Sequence, residues 1–154
     1  MTAEHAPTAH AEVRAGRIVA GIDGSEASMD ALEWAARQAN ASGSTLEVIM
    51  TWEWPQSYGW GIAYPTGYDP AEAVDKVLAQ ARSALHQEYP DLKISVQTVQ
   101  GHAAPILVDA SKGADLLVVG SRGHGEFVGM LIGSVGEYCA THAHCPVLVH
   151  RAAA

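Results

Sequence analysis

Short apolar segments typical of buried strands alternate with amphipathic segments typical of helices along most of this chain. The apolar segments lie at residues 17–23, 44–52, 93–100, 115–120 and 145–151. Between the first two, apolar residues recur at helical spacing, at Leu32, Ala35, Ala36 and Ala39. This alternation predicts an α/β fold, a single-domain, open, doubly wound parallel sheet of five strands with helices on both faces.

Residues that begin and end helices stand between these segments. Ser25 offers a hydroxyl that can cap a first helix, and Gly43 is placed to end it. Pro70 falls just inside a second helix, where its missing N–H costs nothing. These residues support the interpretation of the intervening segments as helices.

The composition fits one domain and argues against several classes of partner. The chain has 154 residues, 48% of them apolar, which is enough for one well-packed core. Seventeen acidic and nine basic residues give a formal net charge of −8, which argues against binding to nucleic acid or to anionic membranes. No apolar run approaches the roughly 20 residues that span a bilayer.

The start of the chain and its cysteines indicate the domain boundary and the compartment. Residues 1–15 are rich in Ala, His and Thr without a signal-peptide pattern, so we expect a disordered extension before a domain at 16–151. Cys139 and Cys145 are too few for a disulfide framework. A reducing cytoplasm is the simplest compartment for such a chain.

A glycine-rich stretch, "GSRGHGEFVGMLIGS" at residues 120–134, follows the fourth predicted strand. Its glycines include Gly120, Gly123 and Gly133, and Ser134 follows the last of them. Glycine lets backbone N–H groups approach a ligand, and a helix that begins near Ser134 presents unpaired N–H groups to an anion. These positions predict two phosphate cradles, or alternatively the glycines only turn the chain and cap a helix.

Other candidate positions follow from the predicted sheet. Ligands of doubly wound sheets bind beyond the carboxyl ends of the strands, where the strand order reverses. This rule selects Asp23, then Thr51 and Trp52, and then Gly120 onward.

The spacing Gly120-x2-Gly123-x9-Gly133-Ser134 resembles the ATP-binding branch of the universal stress protein family. The neighbouring segments "DLLVVGSRGHG" and "HCPVLVHR" are similar to that family, and so is "RIVAGIDGSEASMDALEWAA" at the front. The resemblance covers roughly residues 16–151. It implies a Rossmann-like sheet of the adenine nucleotide alpha hydrolase type, with ATP and Mg²⁺ as ligands.

The resemblance implies phosphate and metal roles for residues at the strand ends. Asp23 matches the position that organises the phosphates and their Mg²⁺, and a carboxylate oxygen is a suitable ligand for Mg²⁺. Alternatively, Asp23 only caps the Asp-Gly-Ser turn. Gly120, Arg122 and Gly123 match the segment that lines the ribose and the phosphates. Arg122 also fits the interpretation of a solvated surface charge.

A second set of positions matches the remaining contacts of the family. Gly133, Ser134 and Val135 match the segment that holds phosphate oxygens, and Thr51 falls where the family reads adenine through backbone groups. Gly136 departs from the family, which often has a hydroxyl residue at this position. This departure can remove one hydrogen bond to the phosphates.

The segment at 53–70 is long and aromatic and contains Trp54, Tyr58, Trp60, Tyr64 and Tyr68. Aromatic rings stack on nucleobases, so this segment is a candidate lid over the adenine. Alternatively, it covers the sheet edge or a partner surface.

Two other chemistries are disfavoured. Residue types that bind zinc occur near the end of the chain, at Cys139, His142, His144, Cys145 and His150. No second paired cluster completes a four-ligand zinc site, and a packed helix face is the alternative interpretation. A Ser-His-Asp hydrolase lacks support because neither "GSVGE" nor "GSRGHG" forms a Gly-x-Ser-x-Gly elbow.

The resemblance implies nucleotide binding without an enzymatic role beyond slow ATP hydrolysis. We expect a cytoplasmic, homodimeric stress-response or signalling module, with a regulatory protein as a further possible partner. In that family the last strand meets its copy across a two-fold axis, here through Val147 and Val149 or through Leu148 and His150.

Three alternatives remain open at this point. The first is a nucleotide-independent interaction module that uses the aromatic segment. The second is an enzyme of the adenine-nucleotide hydrolase class. The third is a protein that binds a flavin or a cyclic nucleotide in the same crevice.

Overall fold

The computed structural model describes residues 16–53, 67–122 and 132–151. These residues form five strands and four helices in strict alternation, and the connections from β2 to α2 and from β4 to α4 pass through residues outside the described ranges. In chain order the elements are β1 (Arg17–Ile22), α1 (Glu26–Ser42), β2 (Thr45–Trp52), α2 (Pro70–Glu88), β3 (Ile94–Gln100), α3 (Ala103–Ala110), β4 (Leu116–Gly120), α4 (Ser134–His142) and β5 (Val147–His150).

The five strands form one parallel sheet in the order β3-β2-β1-β4-β5. The chain starts at the centre of the sheet, moves outward to β3, and then crosses back to place β4 on the other side of β1. The strand order therefore reverses between β1 and β4, and their carboxyl ends lie side by side. The last strand, β5, lies at one edge of the sheet.

Helices cover both faces of the sheet, as the doubly wound interpretation requires. On one face, Ile18, Ala20 and Ile22 of β1 pack in a core with α1 and α2. On the other face, Val19 packs with Leu107 of α3 and with Cys139 of α4. Because successive strand residues point to opposite faces, a continuous apolar run such as β1 supplies both cores.

The predicted helix boundaries agree with the structure at three of the positions named above. The Ser25 hydroxyl accepts a hydrogen bond from the Ser28 N–H at 3.3 Å, and Gly43 ends α1 in the left-handed conformation with a φ of 68°. Pro70 is the first residue of α2. The side chain of Asp69 caps this helix by accepting a hydrogen bond from the Ala71 N–H at 2.9 Å.

The predicted strand segments were one to three residues too long. The first strand ends at Ile22, so that Asp23 lies just beyond it. α3 ends at Ala110 because the chain turns through Ser111 to Gly113, where Gly113 has a φ of 74°. Within the described ranges, no helix is long and apolar enough to cross a membrane.

Some predictions concern residues outside the described ranges. These are the disordered extension at 1–15, most of the aromatic segment at 53–70, and Gly123 with the loop that follows it.

Candidate functional site

A small cavity lies at the carboxyl ends of β1 and β4, where the strand order reverses. Its volume is about 70 Å³. The lining comes from the ends of both strands and from the first turns of α3 and α4, and it includes Asp23, Gly120, Arg122, Gly133 and Val135. This inner cavity occupies the position at which doubly wound sheets bind their ligands.

Asp23 lies in a tight turn between β1 and α1. Its Oδ1 accepts a hydrogen bond from the Ser25 N–H at 2.8 Å, and its own N–H donates to the Ser28 hydroxyl at 3.2 Å. Gly24, between Asp23 and Ser25, has a φ of 83°, a backbone conformation that residues with a side chain rarely adopt. The turn-capping role considered for Asp23 is therefore present in the structure. A carboxylate can cap a turn and also contact a ligand, so the two roles do not exclude each other. The ligand role of this half-buried side chain stays a prediction.

The need for a glycine at position 120 follows from packing within the chain. A Cβ added at this position would lie 3.1 Å from the backbone of Ala27 and of Ser28. The absence of a side chain thus lets the first turn of α1 lie directly on the end of β4. Whether the backbone of Gly120 also contacts a ligand stays a prediction.

The first turn of α4 forms one wall of the inner cavity. Gly133 is the N-cap residue and, among the residues that the structure describes, no side chain caps this helix. The Gly133 N–H donates to the Ser121 carbonyl at 2.7 Å, and the Ser121 N–H donates to the His150 carbonyl at 2.8 Å. These bonds hold the helix start against the end of the sheet, with the first N–H groups of α4 available to an anion.

A larger outer cavity adjoins the inner one. Its volume is about 450 Å³. It lies between the end of β2 and the first turns of α3 and α4, and its lining includes Thr51, Glu53, His102, Ser134 and Tyr138. Ala103 and Val135 line both cavities, so the two form one crevice along the carboxyl edge of the sheet.

The crevice brings together every predicted site residue that the structure describes. Asp23, Gly120, Arg122 and Gly133 line the inner cavity, Thr51 and Ser134 line the outer one, and Val135 lines both. Gly123 lies outside the described residues.

Three residues of the outer cavity were not predicted. The His102 Nδ1 lies 3.0 Å from the Glu53 Oε1, so these exposed side chains form a contact across the mouth of the cavity. Glu53 directly follows one predicted strand and His102 lies two residues after another, so the strand-end rule could have selected them. Tyr138 lies one helical turn after Ser134, but its place in the crevice depends on the orientation of α4, which the sequence does not specify.

The predicted zinc alternative gains no support from the described residues. Among them, no three His, Cys, Asp or Glu side chains are grouped so that they could hold a metal. Burial raises the pKa of the Cys139 thiol to about 11, with a smaller contribution from nearby Cys145. Burial also raises the pKa of Cys145. Both thiols are therefore mainly protonated at neutral pH when no metal is bound.

A larger groove, of about 830 Å³, lies on a different part of the surface. It runs between α2 and the edge strand β3, and its lining includes Asp75, Arg82 and His86. None of the predicted site residues lies there. The strand-end crevice, although smaller, is the site that the topology supports.

Comparison with known proteins agrees with the sequence resemblance. The family model for the universal stress protein family matches residues 15–151. Universal stress protein Rv2623 of Mycobacterium tuberculosis (strain H37Rv) is 38% identical over 140 residues, which cover 87% of this chain and 44% of that protein. The chain thus spans less than half the length of the curated relative.

Solved structures share the same fold. A crystal structure of a universal stress protein in complex with cAMP is 26% identical, with a TM-score of 0.64, and the match covers 87% of this chain and 94% of that one. Universal stress protein UspA from Lactobacillus plantarum is also 26% identical, with a TM-score of 0.63, and the match covers 90% of this chain and 99% of that one.

Proposed function

Because this chain belongs to the universal stress protein family, we propose that it binds an adenine nucleotide in the crevice at the carboxyl edge of its sheet. The observation that carries the proposal is the convergence of Asp23, Gly120 and Gly133 on the inner cavity, at the reversal of the strand order. The start of α4, which no described side chain caps, offers N–H groups and a partial positive charge to a phosphate.

The base and the ribose belong in the outer cavity under this proposal. Thr51, the residue predicted to read adenine through its backbone, lines that cavity near the end of β2. The relative solved with cAMP, which is 26% identical, supports an adenine nucleotide as the ligand class. The shared lining of Ala103 and Val135 allows one ligand to occupy both cavities.

Mg²⁺ accompanies ATP in this proposal, and Asp23 is the residue that fits it. A carboxylate oxygen is a preferred Mg²⁺ ligand, and Asp23 lines the inner cavity. No group of three acidic, histidine or cysteine side chains is placed to hold a metal within the described ranges, so triphosphate oxygens and water would supply the other ligands. Mg²⁺ would offset the phosphate charge, while Asp23 orients the metal-bound phosphates.

The protein then acts as a binding module in a stress response or signalling pathway of the cytoplasm. Under this proposal ATP turnover is slow at most. A homodimer forms through the edge strand β5, whose residues are all half-buried within one chain. A regulatory protein partner would read the nucleotide state.

The test is calorimetric titration of nucleotide-stripped protein with Mg-ATP, using Ser134→Glu as the informative variant. A glutamate at the first position of α4 interacts favourably with the helix dipole, so the fold is retained. The same carboxylate repels a phosphate at this helix start. We expect saturable binding by the parent and at least a roughly tenfold loss of affinity in Ser134→Glu.

Two further variants separate charge from the lost hydroxyl. Ser134→Ala removes one hydrogen bond and is expected to weaken binding by about 2- to 10-fold. Ser83→Glu adds the same charge on an exposed position of α2 and is expected to bind like the parent. A parent protein that does not bind Mg-ATP would instead support the nucleotide-independent interaction module.

A further inference from the structure

Two aromatic rings are stacked on α4 beside the outer cavity. The ring centroids of Tyr138 and His142 lie 4.1 Å apart, and the ring planes are inclined by 20°. Tyr138 is 41% exposed and lines the outer cavity. A large aromatic side chain is thus presented to the crevice in a defined orientation.

A backbone hydrogen bond holds the supporting ring in place. The His142 Nδ1 lies 3.0 Å from the carbonyl oxygen of Tyr138. Because a carbonyl only accepts, Nδ1 carries the proton and donates. This bond restrains the imidazole, and the imidazole in turn restrains the tyrosine ring, so little conformational freedom is left for a ligand to remove.

Tyr138 lines the outer cavity, and His142 covers one face of its ring. Residues four apart are neighbours on one side of a helix, so Ser134 lies one turn before Tyr138 and His142 one turn after it. His142 covers the later side. Ser134 lines the same cavity as Tyr138, so the ring face opposite His142 is expected to border the crevice.

We propose that Tyr138 is the stacking residue for the base of the bound nucleotide and that His142 positions its ring. This inference rests on the proposed function and adds a specificity-determining residue to it. The base lies in the outer cavity against Tyr138, with the end of β2 opposite and the contact between Glu53 and His102 at the mouth. The phosphates extend past Val135 into the inner cavity.

The experiment compares a ligand that has a base with one that lacks it. Affinities of nucleotide-stripped protein for Mg-ATP and for inorganic tripolyphosphate with Mg²⁺ are measured by calorimetry. Tyr138→Ala is expected to weaken Mg-ATP binding by about 5- to 50-fold, as loss of one stacked base does, and to leave tripolyphosphate binding unchanged. Tyr138→Phe keeps the ring and is expected to bind Mg-ATP within about twofold of the parent.

His142→Ala tests the positioning role, and His86→Ala is the matched control. His142→Ala leaves the tyrosine ring present but unsupported, and a smaller loss of about 2- to 5-fold is expected for Mg-ATP alone. His86 is an exposed ring near the end of α2, and its removal is expected to change neither affinity. Thermal unfolding of each variant verifies that the fold is retained.

The outcomes distinguish this inference from the function on which it rests. If the parent binds Mg-ATP and Tyr138→Ala binds it equally well, the stacking role is wrong and the nucleotide site stands. A variant that loses Mg-ATP and tripolyphosphate equally would also overturn the stacking role, because the defect would then not depend on the base. A parent that binds neither ligand would overturn both proposals.

Discussion

Gly120 and Gly136 illustrate how differently two glycines near one site can be constrained. A Cβ at Gly120 would press against backbone atoms of Ala27 and Ser28 at 3.1 Å. A Cβ at Gly136 would lie 3.1 Å from the terminal methyl Cγ2 of Ile132, an exposed side chain. Backbone cannot move aside without shifting α1 or β4, whereas the isoleucine side chain can change its rotamer.

Alanine substitution at these two glycines is expected to affect stability to different extents. Gly120→Ala should lower the free energy of unfolding by about 1–3 kcal/mol, because the added methyl forces backbone apart. Gly136→Ala should change it by less than about 1 kcal/mol, since helix propensity offsets the local crowding. Urea unfolding followed by circular dichroism measures both. Equal destabilisation would show that the contact with α1 is not what constrains Gly120.

At the scale of secondary structure, β5 leaves one edge of the sheet open. The carbonyl of Pro146, just before β5, accepts a hydrogen bond from the Leu117 N–H of β4, and the His150 carbonyl accepts one from the N–H of Ser121, just after β4. Because backbone groups alternate along a strand, the N–H groups and carbonyls of Val147 and Val149 are directed to the open edge. An apolar strand with such an edge is prone to pairing.

Val149→Pro tests whether the proposed dimer uses this edge. Proline removes an outward N–H that β4 does not need, so the fold is expected to remain. If the two copies pair through β5, the dimer should dissociate at least roughly tenfold more readily in sedimentation experiments. Val149→Thr keeps both the N–H and the β-branched shape and should dimerise like the parent. A dimer unaffected by the proline would contradict pairing at this edge.

The order and type of the elements were predictable because each rests on local physics. Apolar runs, the Ser25 and Gly43 caps and the placement of Pro70 are all encoded within a few residues. The strand-end rule also collected Asp23, Thr51 and Gly120 into one crevice. The contact of Gly120 with α1 and the orientation of Tyr138 were missed because they depend on how two distant elements pack, which no local pattern records.

For the whole molecule, net charge bears on the form of nucleotide that binds. The chain carries a formal charge of −8. Two carboxylates, Asp23 and Glu53, line the crevice, and Arg122 is the one lysine or arginine among the described residues that line it. Carboxylates near a phosphate oppose its binding, and a partly buried site screens this repulsion less than water does. A highly charged triphosphate thus depends on a cation more than a cyclic monophosphate does.

Removal of Mg²⁺ is therefore expected to separate two ligands. Chelation with EDTA should weaken ATP binding roughly tenfold or more, whereas cAMP, with its single negative charge, should bind with the same affinity in Mg²⁺ and in EDTA. Calorimetry under both conditions provides the measurement, and Asp23→Asn should reduce the Mg²⁺ dependence for ATP. Equal ATP affinity with and without Mg²⁺ would show that the carboxylates of Asp23 and Glu53 do not determine whether ATP or cAMP binds.

The return of the chain to the centre of the sheet has a consequence for synthesis. β1, β2 and β3 are neighbours made early, whereas β4 and then β5 are made later and add to the other side of the central strand. Asp23 and Ser134, which line adjoining cavities, are about 110 residues apart in sequence. A chain that lacks β4 and α4 also lacks part of the lining of both cavities, so binding at the proposed site would require the later half of the domain.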